Sequence, residues 1–193
     1  PAHVVARRLK EWKKQIREAE RSFVYLHLND AHAPYEFRRD FFYGTGDDND
    51  SMDRYKSEIG YLDHNLKSMF DTIGVDDDTL VAIVSDHGEE FMEHGGTEHG
   101  PQLYQELVHV LMMFRWPGGG IGSGRLKQNV SLVDVMPTLV SLVKGELLKS
   151  WEGLDLSPIL RGEEESSLPR RLDSRALYLH RTFSKLRDSH LTA

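Results

Sequence analysis

The chain has 193 residues, of which 39% are hydrophobic and 28% charged, with a net charge of −7 and no cysteine. This size and composition suit a globular protein with one sizeable core. The negative net charge argues against nucleic-acid binding, because the sequence has no basic stripe that would neutralise phosphates. Disulfides and thiolate chemistry are excluded, and without an apolar run of about 18 residues no membrane-spanning helix is predicted.

The first half of the chain alternates between helical and strand patterns. Apolar residues at helical spacing predict a helix over residues 3–20, and aromatic and branched side chains predict a strand over residues 22–28. A second amphipathic pattern predicts a helix over residues 51–73 that ends at Gly74. The nearly all-apolar run 80–84 predicts a strand buried on both faces. This order of strand, helix and strand is typical of a βαβ crossover unit.

The second half is less regular. We predict a third strand over residues 108–114, a surface loop over residues 117–128, and a helix that Asp134 caps and Gly145 ends. The stretch after this helix is loop-like, with a short apolar clasp formed by Leu154, Leu156, Ile159 and Leu160. Near the end of the chain, residues 176–179 suggest one edge strand.

Two predicted strands end in side chains that can bind a metal or a substrate. Asp86 and His87 follow the run 80–84, and ligands of open α/β sheets bind at the carboxyl ends of strands. A carboxylate oxygen and an imidazole nitrogen on adjacent residues can hold one divalent cation. His32 follows the strand predicted at 22–28 and could contact an anionic substrate or protonate a leaving group.

Histidines are concentrated after the run 80–84. Four of the ten histidines fall in this window: His87, His94, His99 and His109. The functional interpretation is a metal or catalytic centre. The alternative is an exposed polar loop whose histidines have no catalytic role.

Five segments match the motifs of a known family in order and in rough spacing. They are residues 30–35 (family pattern DPHAPY), residues 79–88 (dnTlvvftSDHG), the His-Gly pairs at residues 93–95 and 99–100, residues 131–138 (vslvDlaPT) and residues 151–156 (GxSLxP). Together these segments resemble the bacterial sulfatases of the alkaline phosphatase superfamily. The resemblance implies an α/β fold, a three-layer sandwich with a central mixed sheet flanked by helices, of which this chain would hold part.

The resemblance also implies roles for four residues. Asp86 and His87 match the later pair of metal ligands in the family, and calcium is the favoured cation, with manganese or magnesium as alternatives. His32 matches a histidine that contacts the substrate. His99 matches a position where relatives carry a lysine or histidine that touches the transferred group, where it would stabilise charge on the sulfate oxygens or the leaving oxygen.

Three features depart from the family pattern. The family's Cys/Ser-x-Pro-x-Arg nucleophile motif does not precede the five matched segments, the first Asp-Asp metal pair is missing, and residues 109–111 read His-Val-Leu where the family has Arg-Val-Pro. We therefore expect residues 1–162 to be the C-terminal portion of a sulfatase-like catalytic domain, followed by a loop-rich extension over residues 163–193. The N-terminal half of the same enzyme would be its partner, and the chain alone would be inactive.

The predicted function is part of a metal-dependent sulfatase, a sulfuric ester hydrolase. One alternative is phosphoryl chemistry on the same scaffold, either phosphodiester or phosphonate hydrolysis or phosphoethanolamine-type transfer, because sulfate and phosphate esters have nearly the same shape. Another is a non-catalytic pseudoenzyme module. Exposed apolar surface on a partial domain also predicts a homo-oligomer. The chain shows no targeting segment, so the sequence leaves periplasmic, extracellular and cytoplasmic locations open.

Overall fold

A computed structural model describes residues 1–43, 46, 49–99, 102–163, 168–175 and 177 of the chain. In chain order the elements are helix α1 (Ala2–Glu18), a 3-10 turn (Arg39–Phe41), helix α2 (Ser51–Ile73), strands β1 (Val81–Val84), β2 (Glu90–Phe91) and β3 (Thr97–Glu98), helix α3 (Gln105–Val108), strand β4 (Met112–Arg115), a second 3-10 turn (Leu132–Asp134), and helices α4 (Val135–Leu142), α5 (Ser157–Leu160) and α6 (Leu168–Asp173). They divide into two compact units, residues 1–79 with 91–98 and residues 80–90 with 99–193.

Helix α1 confirms the first predicted helix and packs against α2 in the first unit. Its buried face carries Ala2, Ala6 and Leu9, which form one core cluster with Met69 of α2. At the other end of α1, Arg17 donates hydrogen bonds from Nε to the Thr72 carbonyl oxygen at 3.1 Å and from Nη2 to the Asp71 carbonyl oxygen at 2.6 Å. These bonds satisfy carbonyls that the end of a helix leaves without partners.

Helix α2 also confirms its prediction, including both ends. Asp50 is the N-cap, and its Oδ1 accepts a hydrogen bond from the Asp53 backbone N–H at 2.9 Å. Gly74 ends the helix with φ of +86°, and its N–H donates to the Phe70 carbonyl oxygen at 2.8 Å. A left-handed backbone at this position favours glycine, which has no Cβ to clash.

The strand predicted over residues 22–28 is wrong for the part of the chain that the structure describes. These residues alternate in burial: Val24, Leu26 and Leu28 pack on the core of the first unit, whereas Phe23 and Tyr25 are 82% and 77% exposed. The segment is thus extended, but among the described residues it forms no ladder with another strand. The predicted βαβ unit fails for the same reason, because a crossover needs a first strand in the sheet.

In the second unit β1 pairs with β4 in antiparallel register, from Val81 opposite Arg115 to Val84 opposite Met112. The strand predicted at 80–84 is confirmed, and the third predicted strand forms, although it begins at Met112 rather than at residue 108. The prediction that β1 is buried on both faces is wrong. Its residues are half-buried, and Val84 is 45% exposed.

The core of the second unit lies around Leu156, Leu168 and Leu172, with Met112 of β4 packed against it. The predicted apolar clasp is confirmed here, because Leu154, Leu156, Ile159 and Leu160 all belong to this cluster. Leu168 and Leu172 come from α6, so this helix contributes directly to the core. The boundary predicted at residue 163 remains a prediction about domain organisation.

Asp134 connects distant parts of the second unit instead of capping α4 with its side chain. It is fully buried, and its Oδ2 accepts from the Ser131 N–H at 2.8 Å while its Oδ1 accepts from the Leu154 N–H at 2.7 Å. The guanidinium of Arg175 pairs with Oδ2 at 2.6 Å. Asp134 is the N-cap residue of α4, as predicted, but its side chain makes no capping bond to that helix and instead forms a capping box with Ser131 on the preceding 3-10 turn.

Helix α4 forms where it was predicted, but Gly145 is not the residue that reverses the chain. The helix ends at Leu142, and Lys144 takes the left-handed backbone with φ of +60°. Residues 117–128 carry neither helix nor strand, as predicted. The edge strand predicted around residues 176–179 lies outside the described residues, apart from Leu177. Within the described segments, no helix combines the length and apolar character needed to cross a bilayer.

Candidate active site

The backbone that follows β1 is clamped to the segment that precedes β4. The Ser85 N–H donates to the Leu111 carbonyl oxygen at 3.1 Å, and the Leu111 N–H donates to Ser85 Oγ at 3.0 Å. Gly88 donates to the Leu107 carbonyl oxygen at 2.9 Å, and a Cβ added at Gly88 would lie 1.9 Å from the Glu106 carbonyl oxygen. Only glycine allows this approach, so the clamp fixes the backbone on which Asp86 and His87 sit.

Asp86 and His87 place two donor atoms near each other at the surface. Asp86 Oδ1 accepts the His87 backbone N–H at 3.1 Å, and the Asp86 side chain is 87% exposed. His87 Nδ1 lies 2.7 Å from the Gly88 carbonyl oxygen. Because a carbonyl oxygen can only accept, Nδ1 carries the hydrogen, and the lone pair of the neutral ring is on Nε2. This Nε2 lies 3.9 Å from Asp86 Oδ2.

His99 lies beside His87 in the second unit. Their rings stack with centroids 4.2 Å apart and an interplanar angle of 30°. His99 Nδ1 lies 3.1 Å from Glu89 Oε1, and the Glu89 side chain is only 4% exposed. The structure therefore brings together three of the four residues predicted from the sequence, Asp86, His87 and His99, and adds a carboxylate to them.

His32 belongs to the first unit and is exposed. Its backbone N–H donates to the Asn29 carbonyl oxygen at 3.3 Å, and its Nδ1 lies 2.7 Å from the Ala33 carbonyl oxygen, which again places the ring hydrogen on Nδ1. The next peptide bond, Ala33–Pro34, is cis. Upstream, the buried Asp30 accepts the Ala2 N–H at 2.7 Å, so this turn is tied to α1.

The segment after His32 is anchored to α2. Arg38 donates from its backbone N–H to Ser57 Oγ at 2.8 Å, and its guanidinium pairs with Glu58 at 3.3 Å and with Glu36 at 2.6 Å. Burial acts to lower the pKa of the Arg38 guanidinium, but the hydrogen bond and charge of Glu58, followed by the charge of Glu36, raise this pKa above its ordinary value. The ion pair thus holds the chain that leads away from His32.

A cluster of aromatic rings supports the same segment. The Tyr35 ring lies 5.7 Å from the Tyr55 ring of α2, and the Phe91 ring lies 5.8 Å from Tyr35 and 5.2 Å from Tyr55. Phe91 begins the hairpin closed by the Met92 N–H, which donates to the Gly96 carbonyl oxygen at 2.9 Å. His94 is exposed in the turn of this hairpin. The remaining histidine of the predicted cluster, His109, is exposed at the end of α3.

The donor set of Asp86 and His87 fits a divalent cation. Carboxylate oxygens are the ligands that calcium, magnesium and manganese prefer, and imidazole nitrogens are common ligands of transition-metal centres. Asp86 Oδ1 and His87 Nδ1 each form a hydrogen bond with a backbone group, and these bonds orient the other polar atom of each side chain. Such outer contacts are how proteins orient metal ligands.

Sequence reasoning missed Glu89. Nothing in the sequence distinguishes Glu89 from Glu90, since both follow Gly88 as acidic residues, yet both are buried and Glu89 meets His99. Carboxylate oxygens of Glu90 and Glu106 also lie within 4.8 Å of one another in the second unit. The one available signal was that both glutamates lie between the strand-end pair and His99.

Comparisons with known proteins find relatives of this chain among enzymes of sulfate esters. Arylsulfatase K of Gallus gallus is 33% identical over 93 residues, which cover 48% of this chain and 17% of that protein. The low-salt glycan biosynthesis sulfotransferase Agl7 of Haloferax volcanii is 31% identical over 159 residues, covering 75% of this chain and 38% of that protein. The chain thus spans between about a sixth and two fifths of the length of these relatives.

A solved structure shows the same fold. It is described as a sulfatase, yidJ from Bacteroides fragilis, and matches with a TM-score of 0.61 at 19% identity, over 82% of this chain and 40% of that one. This likeness confirms the predicted fold class, an α/β fold of the alkaline phosphatase and sulfatase type, of which the chain holds part. The sulfatase family model matches residues 3–145. The chain therefore belongs to the sulfatase family.

Proposed function

We propose that this chain supplies part of a metal-dependent active site that hydrolyses sulfate esters. The observation that carries the proposal is the cluster that follows β1: in a member of the sulfatase family, Asp86 and His87 lie on a clamped backbone and the His99 ring stacks on His87. The sulfate ester is the substrate class that family membership favours. The pairing of an exposed acid–imidazole donor set with a second, stacked imidazole suits a reaction in which negative charge moves between oxygens.

Asp86 and His87 would hold the cation, through Oδ2 and Nε2. Calcium is our first choice, with manganese and magnesium as alternatives, because all three accept hard oxygen ligands. When bound, such a cation supplies positive charge against the oxygens of the sulfate group.

His99 would act on the transferred group or the leaving oxygen. With Nδ1 bonded to Glu89, the reactive position of the ring is Nε2, which in the cationic ring can donate its proton to the ester oxygen as the bond to sulfur breaks, so that the leaving group departs as a neutral alcohol. His32, whose Nδ1 is likewise occupied by the Ala33 carbonyl oxygen, would contact the substrate through its own Nε2. In both histidines the proposed reactive atom is Nε2, and the other ring nitrogen, Nδ1, is held by a contact with the protein.

The nucleophile would come from chain outside these 193 residues, in the N-terminal half of the same enzyme. In these 193 residues the string Ser-x-Pro-x-Arg occurs only at residues 167–171, after the other family motifs, whereas the family order places the nucleophile before them. A covalent intermediate on that nucleophile is what would divide the hydrolysis into two easier steps. Activity should therefore be sought in the full-length protein.

A second candidate is transfer of the sulfuryl group to an acceptor other than water. It is favoured by the relative Agl7, which is named a sulfotransferase and matches three quarters of this chain. Hydrolysis and transfer share the first step, in which the ester bond to sulfur breaks. They differ in whether water or an acceptor hydroxyl takes up the sulfuryl group, and product analysis distinguishes them.

The test is an activity panel on the full-length protein. After removal of bound metal and addition of calcium, manganese or magnesium in turn, turnover is measured on 4-nitrophenyl sulfate, 4-nitrophenyl phosphate and bis(4-nitrophenyl) phosphate. We expect kcat/KM for the sulfate ester to exceed both phosphate values by roughly tenfold or more, which corresponds to about 1.4 kcal/mol of transition-state discrimination. Free sulfate as the product supports hydrolysis, and a sulfated acceptor supports transfer.

A matched pair of variants connects the activity to the site. His99→Ala should lower kcat by about 100-fold, in the range usual for a lost acid–base group. His109→Ala removes an exposed histidine of the same unit and should leave kcat unchanged. Preference for a phosphate ester would support the phosphoryl alternative, and a folded, metal-loaded protein without turnover on any ester would support the pseudoenzyme.

A further inference from the structure

Glu89 is a nearly buried carboxylate that meets His99 and does not itself contact the substrate in the proposed reaction. We infer that Glu89 is a positioning residue for His99, fixing the tautomer and the orientation of its ring so that Nε2 is the atom presented to the substrate. The inference rests on the proposed function for its catalytic consequence. Its structural content, which nitrogen of His99 carries the hydrogen, can be measured without any turnover.

The burial of Glu89 is the first argument. Its side chain is 4% exposed, and a carboxylate removed from water costs free energy unless hydrogen bonds compensate for the lost hydration. One such bond joins Glu89 Oε1 and His99 Nδ1 at 3.1 Å. The ionised form of Glu89 can only accept, so in that form Nδ1 is the donor and the neutral ring carries its lone pair on Nε2.

The stacking of the two imidazoles is the second argument. The His99 ring lies 4.2 Å from the His87 ring with 30° between their planes. Stacking restricts the plane of the His99 ring, and the bond to Glu89 restricts its rotation within that plane. Two independent contacts therefore define the direction of Nε2, which a single contact would leave variable.

The backbone between His87 and Glu89 is the third argument. Gly88 separates the two residues, and it is held against α3 by its bond to the Leu107 carbonyl oxygen and by a contact that no side chain could fit. The residue that stacks on His99 and the residue that bonds to it thus flank one immobilised peptide. This arrangement can set the ring of His99 without help from the substrate.

The chemical consequence follows from the tautomer. A histidine bonded through Nδ1 to a carboxylate keeps its proton-transfer position on Nε2, and the carboxylate stabilises the imidazolium that forms when Nε2 takes up a proton. Without Glu89 the ring would be free to place its hydrogen on Nε2, and the neutral ring could then no longer accept a proton there.

The experiment combines nitrogen NMR of the full-length protein, labelled with ¹⁵N in histidine, with steady-state kinetics. The His99 signal is assigned by its loss in His99→Ala. In the wild type, at a pH where the ring is neutral, we expect the Nδ1–H form. In Glu89→Ala the signal should shift toward the Nε2–H form, and kcat should fall by about 10–100-fold, the usual effect of losing the partner of a functional histidine, with KM changed less than kcat.

Glu89→Gln keeps an amide oxygen that can accept from Nδ1–H, so we expect it to retain the Nδ1–H form and a kcat between those of the wild type and Glu89→Ala. Glu146→Ala removes an exposed glutamate of the same unit and should match the wild type in both measurements. If Glu89→Ala does not fold, the wild-type tautomer and Glu89→Gln still decide the question.

Failure of the positioning role of Glu89 and failure of the proposed function give different results. A wild-type His99 in the Nε2–H form would overturn the positioning role, whatever the activity. An active wild type with unchanged kcat in folded Glu89→Ala would also overturn it, while leaving the proposed function intact. A wild type without sulfate-ester turnover that still shows the Nδ1–H form, lost in Glu89→Ala, would contradict the proposed function and support the positioning of His99.

Discussion

Replacing Arg175 with methionine should destabilise the second unit, because Arg175 is the ion-pair partner of the fully buried Asp134. The two side chains meet at 2.6 Å, and Arg175 is 16% exposed. Methionine keeps much of the aliphatic length of arginine and removes the charge. The variant therefore leaves a buried carboxylate without its cation, which is one of the few single changes that cost several kcal/mol.

The magnitude can be worked from the contacts of Asp134. Removing one partner of a buried ion pair typically costs about 3–5 kcal/mol. Here the carboxylate keeps two backbone donors, the Ser131 N–H at 2.8 Å and the Leu154 N–H at 2.7 Å. Since these bonds continue to compensate part of the buried charge, we expect the lower end of the range, about 3 kcal/mol. With an m-value of about 2 kcal/mol/M in urea, the midpoint should fall by roughly 1.5 M.

The assay is equilibrium urea unfolding of the full-length protein followed by tryptophan fluorescence. Of the three tryptophans in this sequence, Trp116 and Trp151 lie in the second unit, and a Trp12→Phe background removes the one in the first unit. Arg171→Met is the matched control, since Arg171 is an exposed arginine of α6, four residues before Arg175, and it should change the free energy of unfolding by less than about 0.5 kcal/mol.

A double-mutant cycle isolates the pair. In an Asp134→Asn background, Arg175→Met should cost much less than in the wild type, because the buried charge is already gone. The reasoning would be refuted by an Arg175→Met midpoint equal to that of Arg171→Met. Equal costs of Arg175→Met in both backgrounds would show instead that Arg175 stabilises the unit by packing rather than by charge.

Three further changes have expected outcomes. His32→Ala should lower kcat roughly tenfold or more while the metal content stays at the wild-type level; a folded variant with unchanged kinetics would remove His32 from the site. Asp50→Ala loses the cap that accepts from the Asp53 N–H and should lower the free energy of unfolding by about 1 kcal/mol in urea, and no change would mean that water replaces the cap. Thr138→Val removes the hydroxyl that accepts from the buried Leu156 N–H at 2.9 Å and should cost about 1–3 kcal/mol; a neutral effect would show that this N–H finds another acceptor.

The two long helices were predictable because their information is local. Apolar spacing of 3.6 residues sets the buried faces of α1 and α2, and the ends of α2 are marked by Asp50 and Gly74 within the same stretch of sequence. The strand at 22–28 was not predictable in this way. An alternating segment shows that one face packs on a core, as Val24 and Leu26 do, but it carries no information on whether a second strand will pair with it.

Asp134 shows the same limit at a single residue. Its position before the apolar stretch of α4 predicts the N-cap of that helix, and Asp134 holds this position, although its side chain caps the preceding 3-10 turn. Its main partners, however, lie 20 and 41 residues further on, at Leu154 and Arg175. No spacing rule connects residues so far apart, so the burial of Asp134 follows only from the tertiary fold.

The sequence predicted the candidate-site residues that the chemistry of their side chains marks, and it missed Glu89, whose role depends on its burial. Asp86 and His87 stand out because polar ligands follow an apolar strand, and His99 because of its resemblance to a family position. Glu89 gives no such signal, since an acidic residue in a polar loop is usually exposed. Its importance depends on being buried against His99, which the sequence does not encode locally.

The metal content of the full-length protein tests the central claim most directly. Protein purified with calcium, manganese or magnesium and then desalted is measured by mass spectrometry of the metal, alongside turnover of a sulfate ester, for the wild type, Asp86→Ala and the exposed-residue control Asp173→Ala. We predict about one divalent cation per wild-type chain bound through Asp86 and His87, its loss together with turnover in Asp86→Ala, and wild-type values in the control. Full metal content and normal turnover in Asp86→Ala would contradict the account.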